Sequence, residues 1–199
     1  MKATDPSATV SQISVKSGTT DYTPVVAQVK AQSPDAVVLI TPYTEAAAFL
    51  KQAKLQGLTS QTYGYVPATD TGLIKLAGSD AEGFKGVQLV KPLTDSGPGV
   101  AAYKAAMQKY EPGQALSFYS ETTYAEGVAF GQAIAKISGP VNSASIAASL
   151  EKNGPFDSQL LPPLSFSGSK HIGTDQVQRL VVKNGQFVAS GEFVSPPAT

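Results

Sequence analysis

Residues Asp35 to Gly64, DAVVLITPYTEAAAFLKQAKLQGLTSQTYG, constrain this chain more than any other stretch. Ala36 to Ile40 is an unbroken apolar run of strand length, the pattern of a strand buried on both faces. Thr41-Pro42-Tyr43-Thr44 interrupts it. Ala46, Phe49, Leu50 and Ala53 then recur at helical spacing, with Lys51, Gln52 and Lys54 on the other side. Gly57 supplies the left-handed residue that ends such a helix, and Gln61 to Tyr65 reads as the next short strand. A strand–helix–strand unit of this length joins parallel strands by a crossover. In open parallel sheets ligands bind outside the carboxyl ends of the strands. Those ends are Thr41-Pro42-Tyr43 and Tyr65-Val66-Pro67, where any site is expected.

The flanking segments extend an α/β pattern. Thr9 to Val15 alternates Val10, Ile13 and Val15 with polar residues and reads as an edge strand. Tyr22 to Gln32 reads as a helix with Val25, Val26 and Val29 inward. Asp70 to Ala77 is expected as a short helix, Gly78 to Gly86 as a loop, and Gly86 to Val90 as a further strand. Lys91 to Gly99, KPLTDSGPG, is the strongest break, a hinge by composition. Helices are expected beyond it: one with a Val100, Tyr103, Met107 and Tyr110 face, one over Phe118 to Ile137, and one from Asn142 or Ser143 to Asn153-Gly154. Leu164 to Ser167 reads as a short strand. Gln176 to Lys183 and Gln186 to Val194, joined by Asn184-Gly185, predict a hairpin. The final SPPAT reads as a tail without regular structure.

Composition narrows the function classes. The chain has 199 residues, formal net charge +0 and 15% charged residues, with no basic cluster, which argues against a nucleic-acid partner. No apolar run approaches the ~20 residues that span a bilayer. Cys 0 rules out disulfides, thiolate catalysis and cysteine metal sites. MKATDPSATV has no apolar h-region, so the chain is expected to be cytoplasmic or to have lost its front end.

The search for chemistry yields no enzyme. His171, the only histidine, sits in a Gly/Ser loop without a carboxylate pair at ligand spacing, and reads as structural rather than catalytic or metal-binding. There is no G-x-S-x-G elbow and no phosphate-cradling glycine motif, so no cofactor is expected. Glu121 and Glu126 flank Tyr124 at a spacing that separates them around a helix, which reads as a solvated face. Glu45, in the first turn of its helix, has a structural role favoured by the helix dipole. Tyr43 and Tyr65 read equally well as pocket-lining or as rim-packing aromatics.

The run PDAVVLITPYTEAAAFLKQAKLQGL followed by QTYG resembles the Leu/Ile/Val-type solute-binding proteins of bacterial ABC transporters, periplasmic binding proteins of the type 1 fold. SGTTDYTPVVAQVKAQSPDAVVL, AEGFKGVQLVKP, SETTYAEGVAFGQAIAKISG and SGSKHIGTDQVQRLVVKNGQFV are similar to further family segments in the same order. The resemblance implies an α/β fold: a parallel-sheet lobe from residues 1–90 and 174–194, a hinge at 91–99, and a mostly helical partial second lobe over 100–173. It implies capture of a branched-chain or other amino acid, or a small aromatic or aliphatic acid, in an interlobe cleft. Delivery to a membrane permease and a periplasmic or other extracytoplasmic location follow from it. The alternative is a metabolite-sensing domain of a receptor or regulator.

Three departures limit what carries over. The family's first lobe should precede Met1, its Tyr-Gly-x-Gly turn is absent, and Tyr65-Val66-Pro67 stands where some members place an acid for the ligand ammonium. Candidate ligand-binding positions are therefore Thr41, Pro42, Tyr43, Tyr65 and Val66. Losing two or three charge-assisted hydrogen bonds of ~1.5–3 kcal/mol each predicts roughly millimolar binding or none by this chain alone. In the resembled lobe a strand lies between the counterparts of Thr9–Val15 and Ala36–Ile40. With it missing, those two are expected to pair directly, because an unpaired buried strand edge is costly.

Overall fold

The computed structural model describes residues 6–197; the tail reading for positions 198–199 lies outside them. The strand–helix–strand unit forms as β1 (Ala36–Leu39), α2 (Tyr43–Leu55) and β2 (Gln61–Gly64), preceded by α1 (Thr23–Gln32). A 3-10 turn (Val66–Thr69), α3 (Thr71–Ala77) and β3 (Lys85–Gln88) follow. Beyond the Pro/Gly-rich break lie α4 (Pro98–Tyr110), α5 (Phe118–Ala135) and α6 (Ser143–Lys152), then the hairpin β4 (Val177–Lys183) and β5 (Gln186–Val194).

The five strands form one sheet in the order β1-β2-β3-β4-β5. The first three are parallel, with Val38 opposite Tyr63 and Tyr63 opposite Lys85. The hairpin adds antiparallel to β3, Gly86 facing Leu180. Its turn needs positive φ at both central residues, and Asn184 (φ 52) and Gly185 (φ 69) supply them. Glu82 fastens it by accepting hydrogen bonds from the Asn184 and Gly185 amides.

The main core joins Tyr22 and Val26 of the α1 region, Ala46, Phe49 and Leu50 of α2, and Leu73 of α3 to Leu39, Leu180, Val182 and Phe187 of the sheet. A second core gathers Val90, Val100, Tyr103, Phe118, Ala125, Leu160 and Leu161 around α4 and α5. Gly99 is required there: a methyl group on it would lie 2.5 Å from the Gln159 carbonyl oxygen, a backbone atom. Gly99→Ala is expected to cost about 1–3 kcal/mol by overpacking. The urea midpoint should fall without a change in slope; an unmoved midpoint would mean that α4 shifts freely to make room.

Four expectations need correction. Thr9 to Val15 is not a strand and does not pair with β1. Ile13 and Val15 turn instead onto the main core. Ser11 Oγ donates to the Gln32 side chain of α1, and the Gly18 amide donates to Glu45 Oε1 of α2 at 2.7 Å. Val10, the remaining apolar residue of the pattern, is 52% exposed, and β1 is a sheet edge among the described residues. Second, β1 is buried on one face only, since Leu39 is buried while Val38 is 51% exposed. On that outer face Lys85 places its ammonium 5.8 Å from the Tyr63 ring centre. Third, Leu164 to Ser167 makes only isolated bridges, Phe156 with Leu164 and Ser167 with Lys170. The fourth, Glu121, concerns the site.

Candidate functional site

The carboxyl ends of β1 and β2 lie side by side, tied by the Tyr65 amide donating to the Leu39 carbonyl at 3.3 Å. At the first, Pro42 is exposed and occupies the N-cap of α2, so Tyr43 opens the helix and its half-buried ring projects from the first turn. The ring lies over Gly72, where a methyl group would come within 2.4 Å of Tyr43 Cε2. Thr41 Oγ1 is buried and has no hydrogen-bond partner among the described residues. At the second, Tyr65 is exposed, and half-buried Val66 leans on the second core.

The start of α5 is drawn against these ends by two long-range hydrogen bonds. Asp70 caps α3, its Oδ1 accepting from the Gly72 amide at 2.8 Å, and its Oδ2 accepts from the Phe118 amide at 2.9 Å. Thr71 Oγ1 donates to the Leu116 carbonyl at 2.9 Å. Tyr119, 47% exposed, sits in the first turn of α5 with its ring centre 5.2 Å from that of Phe118. Its phenol is held above the usual tyrosine range, first by burial, then by the Asp70 carboxylate and the Tyr65 and Tyr43 phenols.

Tyr119, which sequence reasoning missed, stands near enough to Tyr43 and Tyr65 for its phenol to feel theirs. The available signal was an aromatic pair, Phe118-Tyr119, directly behind the N-cap Ser117. Rings can hold the apolar body of a small molecule, while phenol groups and the free Thr41 hydroxyl can bond a polar end. Asp70 spends both oxygens on backbone amides and serves to position rather than to bind.

Glu121 corrects the solvated-face reading. It is 1% exposed, whereas Glu126 is exposed. Burial is the first cause that pushes the Glu121 carboxyl up to about 8; Asp95 adds to it and Lys104 opposes it. His171 is exposed in its loop. Among the described residues no three His, Cys, Asp or Glu side chains converge as a metal site, and no helix is long and apolar enough to cross a membrane.

An open, largely parallel sheet with paired strand ends and an aromatic mouth is the type 1 periplasmic binding protein fold. The chain belongs to the periplasmic binding protein family, whose model matches residues 1–186. Among solved structures it is similar to a branched-chain amino acid ABC transporter protein from Thermus thermophilus with bound valine. The identity is 23% and the TM-score 0.82, covering 93% of this chain and 52% of that one. It is also similar to a leucine binding protein from Thermotoga maritima, at 21% identity and TM-score 0.77, covering 98% and 54%. A branched-chain amino acid transporter substrate binding protein from Streptococcus pneumoniae, in complex with isoleucine, aligns at 20% identity and TM-score 0.71, covering 92% and 51%. The chain thus spans about half the length of these structures. No curated protein matches its sequence.

Proposed function

We propose that this chain forms part of a solute-binding component of an ABC transporter. In this reading residues 1–90 and 174–194 form one lobe, 91–99 the hinge and 100–173 a part of the other. Thr41, Pro42, Tyr43, Tyr65 and Val66, joined by Tyr119, line one wall of the ligand cleft. Tyr43 and Tyr65 at the adjoining ends of β1 and β2, with Tyr119 near enough to feel both, support it. The ligand class is a branched-chain or other small amino acid, or a small aromatic or aliphatic acid. Valine and isoleucine are bound in two of the similar structures. No free carboxylate stands among the wall residues to pair with a ligand ammonium, which favours an acid without an amino group. A membrane permease is the partner, and the family points to an extracytoplasmic location.

The test is calorimetric titration of the polypeptide carrying this sequence with valine, leucine, isoleucine and benzoate. Tyr119→Ala and Tyr43→Ala are each expected to weaken binding about tenfold, the equivalent of roughly 1.4 kcal/mol. A ligand held equally well by both variants would overturn the assignment of the wall. Preference for a ligand of another class, such as a neutral sugar, over all four would overturn the ligand class.

A further inference from the structure

A second concavity lies apart from the tyrosines. A cavity of about 770 Å³ opens between α3, the 92–96 segment, the start of α5 and the hairpin turn, and none of Tyr43, Tyr65 or Tyr119 lines it. We propose that this cavity is a separate binding site for a small organic ammonium with an apolar body, anchored by Glu121.

The cavity has the dimensions of small-molecule pockets, which run about 300–1,000 Å³. Ile74, Leu93, Phe118 and Phe187 give it apolar walls. Glu121 is part of the lining, is 1% exposed, and its Oε1 has no hydrogen-bond partner among the described residues. Buried polar atoms are almost always paired, so an orphan carboxyl oxygen in a cavity wall marks a missing partner.

The charges around it select the partner. Lys104 of α4 is exposed and donates to the Leu93 carbonyl at 2.7 Å. Lys75 of α3 is exposed as well, so both ammonium groups belong to the wet rim. Asp95 accepts from the Gly97 amide at 2.6 Å and lies 4.0 Å from Lys91. Asp70 is spent on two amides, and the Tyr103 hydroxyl lies 2.6 Å from Ser120 Oγ. Near pH 9, where Glu121 is ionised, an anion reaching the inner end would meet the Glu121 and Asp95 carboxylates. A wholly apolar guest would leave Oε1 unpaired. An ammonium brings three donors and the opposite charge, and burial of the pair makes that hydrogen bond strong.

The proton already on Glu121 gives the site a signature. An ammonium binds the carboxylate, so the carboxyl held up near 8 must release its proton first. Calorimetry on the full chain with isoamylamine is expected to show one site, about tenfold tighter near pH 9 than near pH 7. At the lower pH about one proton should be released per site, read from buffers of different ionisation enthalpy. Glu121→Gln, with folding checked by circular dichroism, should lose about tenfold in affinity near pH 9, together with the proton release. Glu121→Asp should retain a reduced pH dependence. Isocaproate, of similar shape but opposite charge, should not compete. Equal amine binding by wild type and Glu121→Gln, preference for isocaproate, or no amine binding at tens of millimolar would each overturn the proposal. The readout is independent of the tyrosine wall, so either assignment can fail alone.

Discussion

Glu121→Gln is expected to stabilise the protein increasingly as pH rises from about 4.5 to about 8, and by a constant amount above that. In the unfolded chain this carboxyl ionises near its ordinary 4.5, whereas in the folded protein it keeps its proton to about 8. Between those values the folded state binds more protons, so the wild type loses stability as pH rises through the window. Below the window the group carries no penalty. At 1.36 kcal/mol per pH unit, the interval corresponds to a loss on the order of 4–5 kcal/mol at its alkaline end. The amide keeps nearly the same shape and cannot ionise, so it removes the slope. Urea unfolding of both proteins at pH values spanning the window measures the effect as a difference, which cancels groups that titrate alike in both. A difference that stays flat with pH would show that Glu121 ionises as freely in the folded protein as in the unfolded one.

The same residue shows where sequence reading ends. The spacing of Ala46, Phe49, Leu50 and Ala53 predicts α2 and its buried face because the helix repeat is local, and all four are buried. Gly57 with φ 67 behind α2, and Asn184-Gly185 between β4 and β5, were legible for the same reason: left-handed backbone selects these residues. Position alone could not reveal which side of α5 is covered. Glu121 and Glu126 have the same chemistry, and tertiary packing rather than sequence separates a buried acid from an exposed one. Thr9 to Val15 failed in the opposite way. Alternation says that every second side chain is covered, but Val10 is 52% exposed, and Ile13 and Val15 rest on the main core rather than beside a neighbouring strand. Val38 was read as doubly buried because a short apolar run carries no information on what packs against each face. At the site, Tyr43 and Tyr65 followed from strand ends and topology. Tyr119 joins them through a hydrogen bond spanning 48 residues, which no local pattern encodes.

That hydrogen bond makes Asp70→Ala the substitution with the widest expected consequences. Asp70 is 4% exposed and holds two amides at once, Gly72 at the start of α3 and Phe118 at the start of α5. Losing the cap costs about 0.5–2 kcal/mol. Leaving the Phe118 amide without its buried partner adds about 1–3 kcal/mol, so a total of about 1.5–5 kcal/mol is expected. For a chain of this size that lowers the melting temperature by roughly 3–20 °C. Asp70→Asn can still accept with its one carbonyl oxygen and should retain about half of the stability. The functional consequence follows from the same geometry. With the Phe118 tie gone, the Thr71–Leu116 bond is left as the hydrogen bond from α3 to the segment that carries Tyr119. Ligand affinity should therefore fall in Asp70→Ala even at temperatures where the protein stays folded, although Asp70 itself offers the ligand no free oxygen. Melting curves recorded beside titrations separate the two effects. A variant that melts with the wild type would refute the double tie, and one that melts early yet binds normally would refute the placement of Tyr119 by Asp70.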